Sequence, residues 1–138
     1  MKIVMVSGHF DPLTDAHLDY IKQASNYADK IICVVSSDAQ LLKKKGFVNI
    51  PERARWEIMD LLLTGLHINH KTVINGWDID ITLIAKALEY WRPEVLFRGG
   101  DKKIEDMPQE EREVCDRVGI KIMHGKFNIA RHGSGMRL

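Results

Sequence analysis

The hydrophobic residues of the chain are grouped in short apolar runs, which are separated by longer stretches of mixed polarity. Five runs rich in β-branched residues predict β-strands at residues 2–7, 30–36, 71–75, 94–98 and 120–124. Hydrophobicity is nearly continuous within each run, which is typical of a strand buried on both faces of a sheet.

The stretches between these runs have the spacing of helices, because apolar residues recur every three to four positions. Helices are predicted at residues 15–28, 52–63, 80–91 and 108–118. Regular alternation of strands and helices indicates a parallel sheet with right-handed crossovers. We therefore expect an α/β fold with a single Rossmann-like domain over residues 1–138, in which a five-stranded parallel sheet carries helices on both faces. Residues 41–47, "LLKKKGF", are predicted to form a mobile loop.

Composition argues against a nucleic-acid-binding protein and against a membrane protein. A net charge of +1 argues against general nucleic-acid binding. Cys33 and Cys115 lie in apolar contexts without metal-binding spacing, which is typical of reduced core residues in an intracellular protein. No run approaches the roughly 20 apolar residues that a membrane span needs. These features predict a cytoplasmic protein without membrane partners.

The chemically informative residues follow the predicted strands. Ligands of open α/β sheets bind at the carboxyl ends of the strands. Residues 8–17 follow the first strand, residues 98–103 the fourth and residues 125–137 the fifth. We expect these three segments to meet at one edge of the sheet.

The segment 8–17, "GHFDPLTDAH", has the features of an anion site. Gly8 allows a phosphate to come close, and Thr14 or Asp15 can cap the helix that follows. The helix end then presents free N–H groups to which His17, in the first turn, can add a donor. Asp11 can orient a neighbour or fix the loop. A capped turn with a surface histidine is the simpler alternative.

This segment resembles the signature of the cytidylyltransferase-like nucleotidyltransferases, in which glycine, any residue and Phe-Asp precede His or Thr, any residue, glycine and histidine. The matching positions are Gly8, Phe10, Asp11, Thr14 and His17. The threonine form is most similar to pantetheine-phosphate adenylyltransferases. His9 stands where threonine is usual, and Ala16 stands where glycine is usual.

The segment 43–55, "KKKGFVNIPERAR", resembles the lysine-rich loop of the same family. The resemblance implies that Lys44, with Lys43 and Lys45 as alternatives, contacts the triphosphate. It also implies that Arg55 binds the phosphate of the acceptor. Taken alone, three lysines are more typical of a solvated loop.

The segment 97–103, "FRGGDKK", resembles the Gly-Gly-Asp stretch of heptose-phosphate adenylyltransferases. The nucleotide-binding residues that it implies are Arg98, Gly99, Gly100 and Asp101. A Gly-Gly turn with a capping aspartate is the alternative. Trp77 lies where glycerol-phosphate cytidylyltransferases have a tryptophan in the acceptor pocket, although packing on a helix is equally compatible with its position.

The last segment, "NIARHGSGMRL", stands where the family has a Ser/Thr-rich phosphate motif, and the resemblance implies Arg131 and Ser134 there, although this segment has only one hydroxyl residue. Glu110 and Glu111 are predicted to lie on a solvated helix face. No metal cage is visible in the sequence, so Mg²⁺ is expected to be held mainly by nucleotide phosphates.

The resemblance implies a nucleotidyltransferase that moves a nucleoside monophosphate from ATP or CTP to a small phosphate ester and releases pyrophosphate. The acceptor would be a sugar, polyol or alcohol phosphate. The residues implied in catalysis are Thr14, His17, Lys44 and Arg55, and those implied in nucleotide binding also include Gly8, His9, Phe10 and Asp11. A catalytically weak or inactive nucleotide-binding module is the alternative, and a homo-oligomer is left open.

Overall fold

A computed structural model of the chain describes residues 1–79 and 83–126. The strands are β1 (Ile3–Gly8), β2 (Lys30–Val35), β3 (His70–Ile74), β4 (Val95–Arg98) and β5 (Lys121–His124). The helices are α1 (Asp15–Tyr27), α2 (Asp38–Lys45), α3 (Glu52–Gly65), α4 (Ala85–Trp91) and α5 (Gln109–Val118), with a short 3₁₀-helix at Ile104–Asp106.

The five strands form a parallel sheet in the order β3-β2-β1-β4-β5. Helices α1 and α3 cover one face, where Ile21 and Met59 enter the core, and helices α4 and α5 cover the other, where Leu88 and Val114 do so. The predicted α/β fold with helices on both faces of a parallel sheet is confirmed.

Burial on both faces explains the continuous hydrophobicity of β1, β2 and β4, whereas the edge strands β3 and β5 are only partly buried. In β1, Val4 and Val6 face one core and Met5 faces the other, and all three have no exposed surface. Cys33 and Cys115 lie one in each core as free thiols, and burial raises their pKa values to about 12 and about 11. Both thiols are therefore protonated and poorly reactive at neutral pH.

The predicted loop at residues 41–47 is wrong over most of its length, because residues 41–45 belong to helix α2. Ser37 and Gln40 form a reciprocal capping box at its start, and Gly46 ends it with a φ of 82°. The lysines before Gly46 lie in the last turn, where their charge is favourable to the helix dipole. Leu41 is fully buried, which anchors the helix.

The chain changes direction across β1. It proceeds outward from β1 to β2 and β3, and then returns to the opposite side for β4 and β5. This reversal places a crevice at the carboxyl ends of β1 and β4. Among the described residues, no helix is long and apolar enough to cross a membrane.

The returning chain is fixed by a buried carboxylate. Asp78 accepts hydrogen bonds from the backbone N–H groups of Lys86 and Ala87, at 2.8 and 3.1 Å. The side chain of Asn75 donates a further bond to it, at 3.1 Å. Asp78 thereby satisfies donors in the first turn of α4, which covers residues 85–91 of the predicted helix 80–91, while residues 83 and 84 precede the helix.

Candidate active site

A pocket of about 530 Å³ opens at the carboxyl ends of β1 and β4. Its walls are the end of β1 with the loop after it, the first turns of α1, and the loop that follows β4. The sequence-predicted residues that line it are Gly8, His9, Phe10, Asp11, Thr14, His17, Arg98, Gly99, Gly100 and Asp101. Two segments that are far apart in the sequence therefore meet at the predicted edge of the sheet.

The first turn of α1 fixes the orientation of His17. Thr14 is the capping residue, and its Oγ1 accepts from the His17 N–H at 3.5 Å. The Thr14 N–H donates in return to Nδ1 of His17 at 3.0 Å, so the imidazole does what Glu or Gln does in an ordinary capping box. Because Nδ1 is an acceptor here, the ring proton of neutral His17 is assigned to Nε2.

Phe10 packs against the His17 ring and supports its orientation. Its side chain is 1% exposed, and its ring meets the His17 ring edge-on with 5.2 Å between centroids. A Cβ at Gly8 would lie 2.8 Å from Cζ of Phe10, which is too close for any side chain. Gly8 is thus required by the packing of Phe10, a reason that differs from the close phosphate approach predicted from the sequence.

Asp11 fixes the loop, which is one of the two roles considered for it. Its carboxylate accepts from the N–H groups of Asn49 and Ile50, at 2.8 and 2.6 Å. Burial of Asp11 opposes ionisation, but these two hydrogen bonds prevail and hold its pKa below the usual value. Both oxygens of the side chain therefore hold the segment before α3, and the predicted contact with a nucleotide stays a prediction.

Arg55 lies elsewhere than the predicted acceptor site. Its side chain is 0% exposed and does not line the pocket. The guanidinium donates to the carbonyl oxygens of Ile50, His9 and Ser36 at 2.7, 2.9 and 2.6 Å, and to Oδ1 of Asp38 at 2.8 Å. The expectation that Arg55 binds the acceptor phosphate is corrected, because these contacts turn the guanidinium into the protein interior.

Of the three lysines at residues 43–45, only Lys45, an alternative to Lys44, lines the pocket. Lys44 is exposed at the end of α2 and does not line the pocket. His9 lies close to Lys45, with its Nδ1 2.7 Å from Oγ of Ser36. Burial, and then the charges of Lys45 and Lys44, lower the pKa of His9 to about 4. His9 is therefore neutral at pH 7.

The loop after β4 forms the opposite wall. Arg98 donates to the carbonyl oxygen of Lys103 at 2.8 Å and contacts Nε2 of His124 at 3.0 Å. A Cβ at Gly99 would lie 2.9 Å from Oδ1 of Asp101, so the carboxylate folds back over the glycine. This segment therefore forms the turn that was considered as an alternative. It also lines the pocket, as the nucleotide-binding prediction requires.

Trp77 is not in the pocket. Its ring packs on Tyr90 and Trp91 of α4, with 4.8 and 5.7 Å between centroids. The predicted contribution to an acceptor site is corrected in favour of helix packing, the alternative considered. Arg131 and Ser134 lie outside the described residues.

Sequence reasoning missed several residues that line the pocket: Tyr20, Gln23, Ser36, Gln40 and Glu111. Glu111 was expected on a solvated face but is only 8% exposed, and its Oε2 accepts from the Ile84 N–H at 3.1 Å. Burial raises the pKa of Glu111. The signal was available, because Glu111 precedes the core residues Val114 and Cys115 by three and four positions and so shares their helix face.

Comparison with known proteins agrees with this arrangement. The family model described as cytidylyltransferase-like matches residues 5–135. This chain belongs to the cytidylyltransferase-like family. The family resemblance predicted from residues 8–17 is confirmed.

Two curated relatives illustrate the similarity at moderate identity. The "Bifunctional protein HldE" of Chromohalobacter salexigens is 34% identical over 132 residues, which are 94% of this chain and 26% of that protein. The "Phosphopantetheine adenylyltransferase" of Lactococcus lactis is 39% identical over 88 residues, 63% of this chain and 50% of that protein. The chain spans about a quarter or less of the HldE relatives that it matches.

Solved structures share the fold. The lipopolysaccharide core biosynthesis protein of Thermoplasma volcanium has a TM-score of 0.68 at 23% identity, over 93% of this chain and 99% of that one. The pantoate-beta-alanine ligase of Francisella tularensis has a TM-score of 0.63 at 18% identity, over 93% of this chain and 60% of that one. At these identities the likeness extends to the fold alone.

We predict that Arg55→Lys lowers the free energy of unfolding by about 3 kcal/mol, because lysine keeps the charge but cannot meet three carbonyl oxygens and a carboxylate. Urea denaturation measures the change. Arg53→Lys, at an exposed position of the same helix, is the control and is expected to change stability by less than about 0.5 kcal/mol. Equal stabilities of the two variants would contradict the buried role of Arg55.

A second prediction concerns pH. The pKa of His9 is about 4 in the folded chain and about 6.5 when unfolded, so the unfolded chain gains the proton first as pH falls. This group contributes nothing above pH 6.5 and destabilises the fold progressively down to pH 4. The melting temperature of His9→Thr, relative to that of the unaltered protein, should therefore be higher at pH 4.5 than at pH 7. Thermal melting at both pH values is the measurement, and His67→Asn, at an exposed turn, should keep the original acid sensitivity.

Proposed function

We propose that this domain transfers a nucleoside monophosphate from a nucleoside triphosphate to a small phosphate ester, with release of pyrophosphate. The observation that carries the proposal is the imidazole of His17, held by the cap of α1 inside a pocket at the reversal of strand order. A helix N-terminus with an oriented donor is suited to a phosphate on which charge develops.

In this reaction an oxygen of the acceptor phosphate attacks the α-phosphorus, and the bond to the β-phosphate oxygen breaks. The acceptor phosphate is already ionised near neutral pH, so no general base is required. Nε2–H of His17 would donate to an oxygen of the α- or β-phosphate, alongside backbone N–H groups of the first turn of α1. Catalysis would consist of positioning and charge stabilisation.

The charges around the pocket support two phosphate-bearing substrates. Lys45 lies on one wall, where we assign it to the triphosphate in place of Lys44. Lys102 and Lys126 line the pocket elsewhere. Since Arg55 is buried, we assign the acceptor phosphate to these two lysines. Asp101 and the Gly-Gly turn would receive the nucleoside.

Magnesium would enter with the nucleotide. Within residues 1–79 and 83–126, no three His, Cys, Asp or Glu side chains are grouped so that they could hold a metal ion. We propose that a Mg²⁺ ion would be held by phosphate oxygens and water, as is usual for that ion. Its contribution would be neutralisation of phosphate charge.

We favour ATP over CTP as the nucleotide, because the relative from Lactococcus lactis carries the name of an adenylyltransferase. The acceptor class proposed is a sugar, polyol or alcohol phosphate. A nucleotide-binding module without turnover is the second candidate, because Ala16 lines the pocket where the family usually has glycine.

Pyrophosphate release is the direct test of this proposal. Mg²⁺ with ATP or CTP is supplied with a panel of sugar, polyol and alcohol phosphates, and thermal shift is recorded for each nucleotide alone. Turnover with one pair supports the transferase. Thermal stabilisation by nucleotide without pyrophosphate release supports the binding module. Absence of both stabilisation and pyrophosphate release would contradict both candidate functions.

We predict that His17→Gln lowers kcat at least about 100-fold and leaves nucleotide affinity within a few fold, because the donor acts on charge that develops in the transition state. Glutamine is suited to the same capping position, so the helix cap is retained. Urea denaturation is expected to show nearly unchanged stability. Near-normal kcat in this variant would remove His17 from the mechanism.

Lys44 and Lys45 form a matched pair for a further prediction. Lys45→Ala should raise the KM for the nucleotide about 10-fold or more, which corresponds to about 1.4 kcal/mol of lost interaction. Lys44→Ala should change it much less, since Lys44 does not line the pocket. Steady-state kinetics with each substrate varied in turn is the measurement. A selective effect of Lys45→Ala on the acceptor KM would instead reverse the assignment of the two phosphates.

A further inference from the structure

The central strands β1 and β4 separate before either of them ends. They pair at Val4 with Val95 and at Met5 with Leu96, and their pairing stops there. However, β1 stays paired with β2 as far as Gly8, and β4 stays paired with β5 as far as Arg98. The sheet is therefore split at its carboxyl edge between these two strands alone.

The hydroxyl of Tyr20 occupies the split. The Ser7 N–H donates to Oη of Tyr20 at 3.2 Å, and Oη donates to the carbonyl oxygen of Phe97 at 2.6 Å. If the register of the preceding pairs continued, Ser7 would lie opposite Arg98. In a parallel ladder the N–H of Ser7 would then donate to the carbonyl oxygen of the residue before Arg98, which is Phe97. One side-chain oxygen thus replaces one hydrogen bond of the sheet.

We propose that Tyr20 is a positioning residue that holds β1 and β4 apart and thereby sets the width of the nucleotide crevice. The part that concerns the nucleotide rests on the proposed function, whereas the effect on the strands does not. Ser7, Tyr20, Phe97 and Arg98 all line the pocket, so the split is part of its wall.

A tyrosine hydroxyl is suited to this task. It can accept from an N–H and donate to a C=O at once, without bringing a charge into the sheet. Burial raises the pKa of Tyr20, so the donated proton stays in place at neutral pH. The ring is held by stacking on Phe97, with 6.0 Å between centroids.

The position of Tyr20 links the crevice to the proposed catalytic donor. Tyr20 follows His17 by three positions on α1 and therefore lies on the same side of the helix. The helix that presents Nε2 of His17 to the pocket thus also opens the pocket. A small inward shift of the strands would move both walls relative to His17, and misplacement of about 1 Å can cost about 100-fold in rate.

The test is Tyr20→Phe, with Tyr27→Phe as the control. Tyr27 lies at the end of the same helix, outside the pocket, and its ring contact with Lys2 survives the loss of the hydroxyl. The first measurement is the NMR scalar coupling across a hydrogen bond, between the Ser7 nitrogen and the Phe97 carbonyl carbon. We expect no such coupling in the unaltered protein or in Tyr27→Phe, and a measurable one in Tyr20→Phe.

The second measurement is affinity and turnover with Mg²⁺-ATP and Mg²⁺-CTP. We expect Tyr20→Phe to weaken nucleotide binding about 10-fold and to lower kcat/KM by up to about 100-fold, while Tyr27→Phe stays within about 2-fold of the unaltered protein. A residue that only stabilises the fold would lower the melting temperature without changing nucleotide affinity at a temperature where the variant is folded.

Several outcomes would overturn the inference. A direct Ser7–Phe97 coupling in the unaltered protein would do so even if Tyr20→Phe failed to fold. Absence of the coupling in a folded Tyr20→Phe would also do so, as would unchanged nucleotide affinity where the unaltered protein binds nucleotide. If the unaltered protein binds neither nucleotide, the proposed function fails, and the coupling still decides whether Tyr20 separates the strands.

Discussion

The geometry of the pocket depends on one buried cation. The guanidinium of Arg55 joins the carbonyl oxygens of His9, Ser36 and Ile50 and the carboxylate of Asp38. A buried charge is tolerated only where hydrogen bonds replace its lost hydration, so these acceptors are held in one arrangement. The loop after β1, the end of β2 and the approach to α3 are therefore fixed relative to one another before any ligand arrives.

Other polar contacts extend this frame toward the pocket. Asp11 binds the backbone of residues 49 and 50 from the loop after β1, so that loop is tied to the segment before α3 a second time. His9 is held against Ser36, close to Lys45. The result is a preorganised wall in which the neutral imidazole of His9 and the side chain of Lys45 both line the pocket. Preorganisation of this kind lets charge stabilisation act without rearrangement at the moment of reaction.

Much of this structure follows from local sequence features. The five strands were predicted because buried parallel strands require continuous apolar runs, and the segments after strands one and four meet because of topology alone. Thr14 and His17 were found because spacing fixes them in the first turn of a helix. Such features depend on neighbours in the chain, so they can be read without knowledge of the tertiary structure.

The features that were missed depend on which way a side chain turns. The spacing from Pro51 located Arg55 correctly at the start of α3, but a guanidinium there can point to solvent or to the carbonyl oxygens of distant loops. Lys44 and Lys45 are neighbours in the sequence, and only the rotation of α2 decides which one lines the pocket. The direction of the side chain was also predicted wrongly for Trp77, which was expected in the pocket, and for Glu111, which was expected in solvent. Tyr20 was invisible because its partners, Ser7 and Phe97, are backbone groups on two different strands.

The cap of α1 shows how stability and chemistry share the same atoms in this domain. The Thr14 N–H that a helix start must satisfy is bound by Nδ1 of His17, and that bond is what leaves the proton on Nε2. Nε2–H is then available to a phosphate as a donor. Helix α1 therefore contributes a positive helix end, an oriented donor and, through Tyr20, the opening into which a nucleotide can fit.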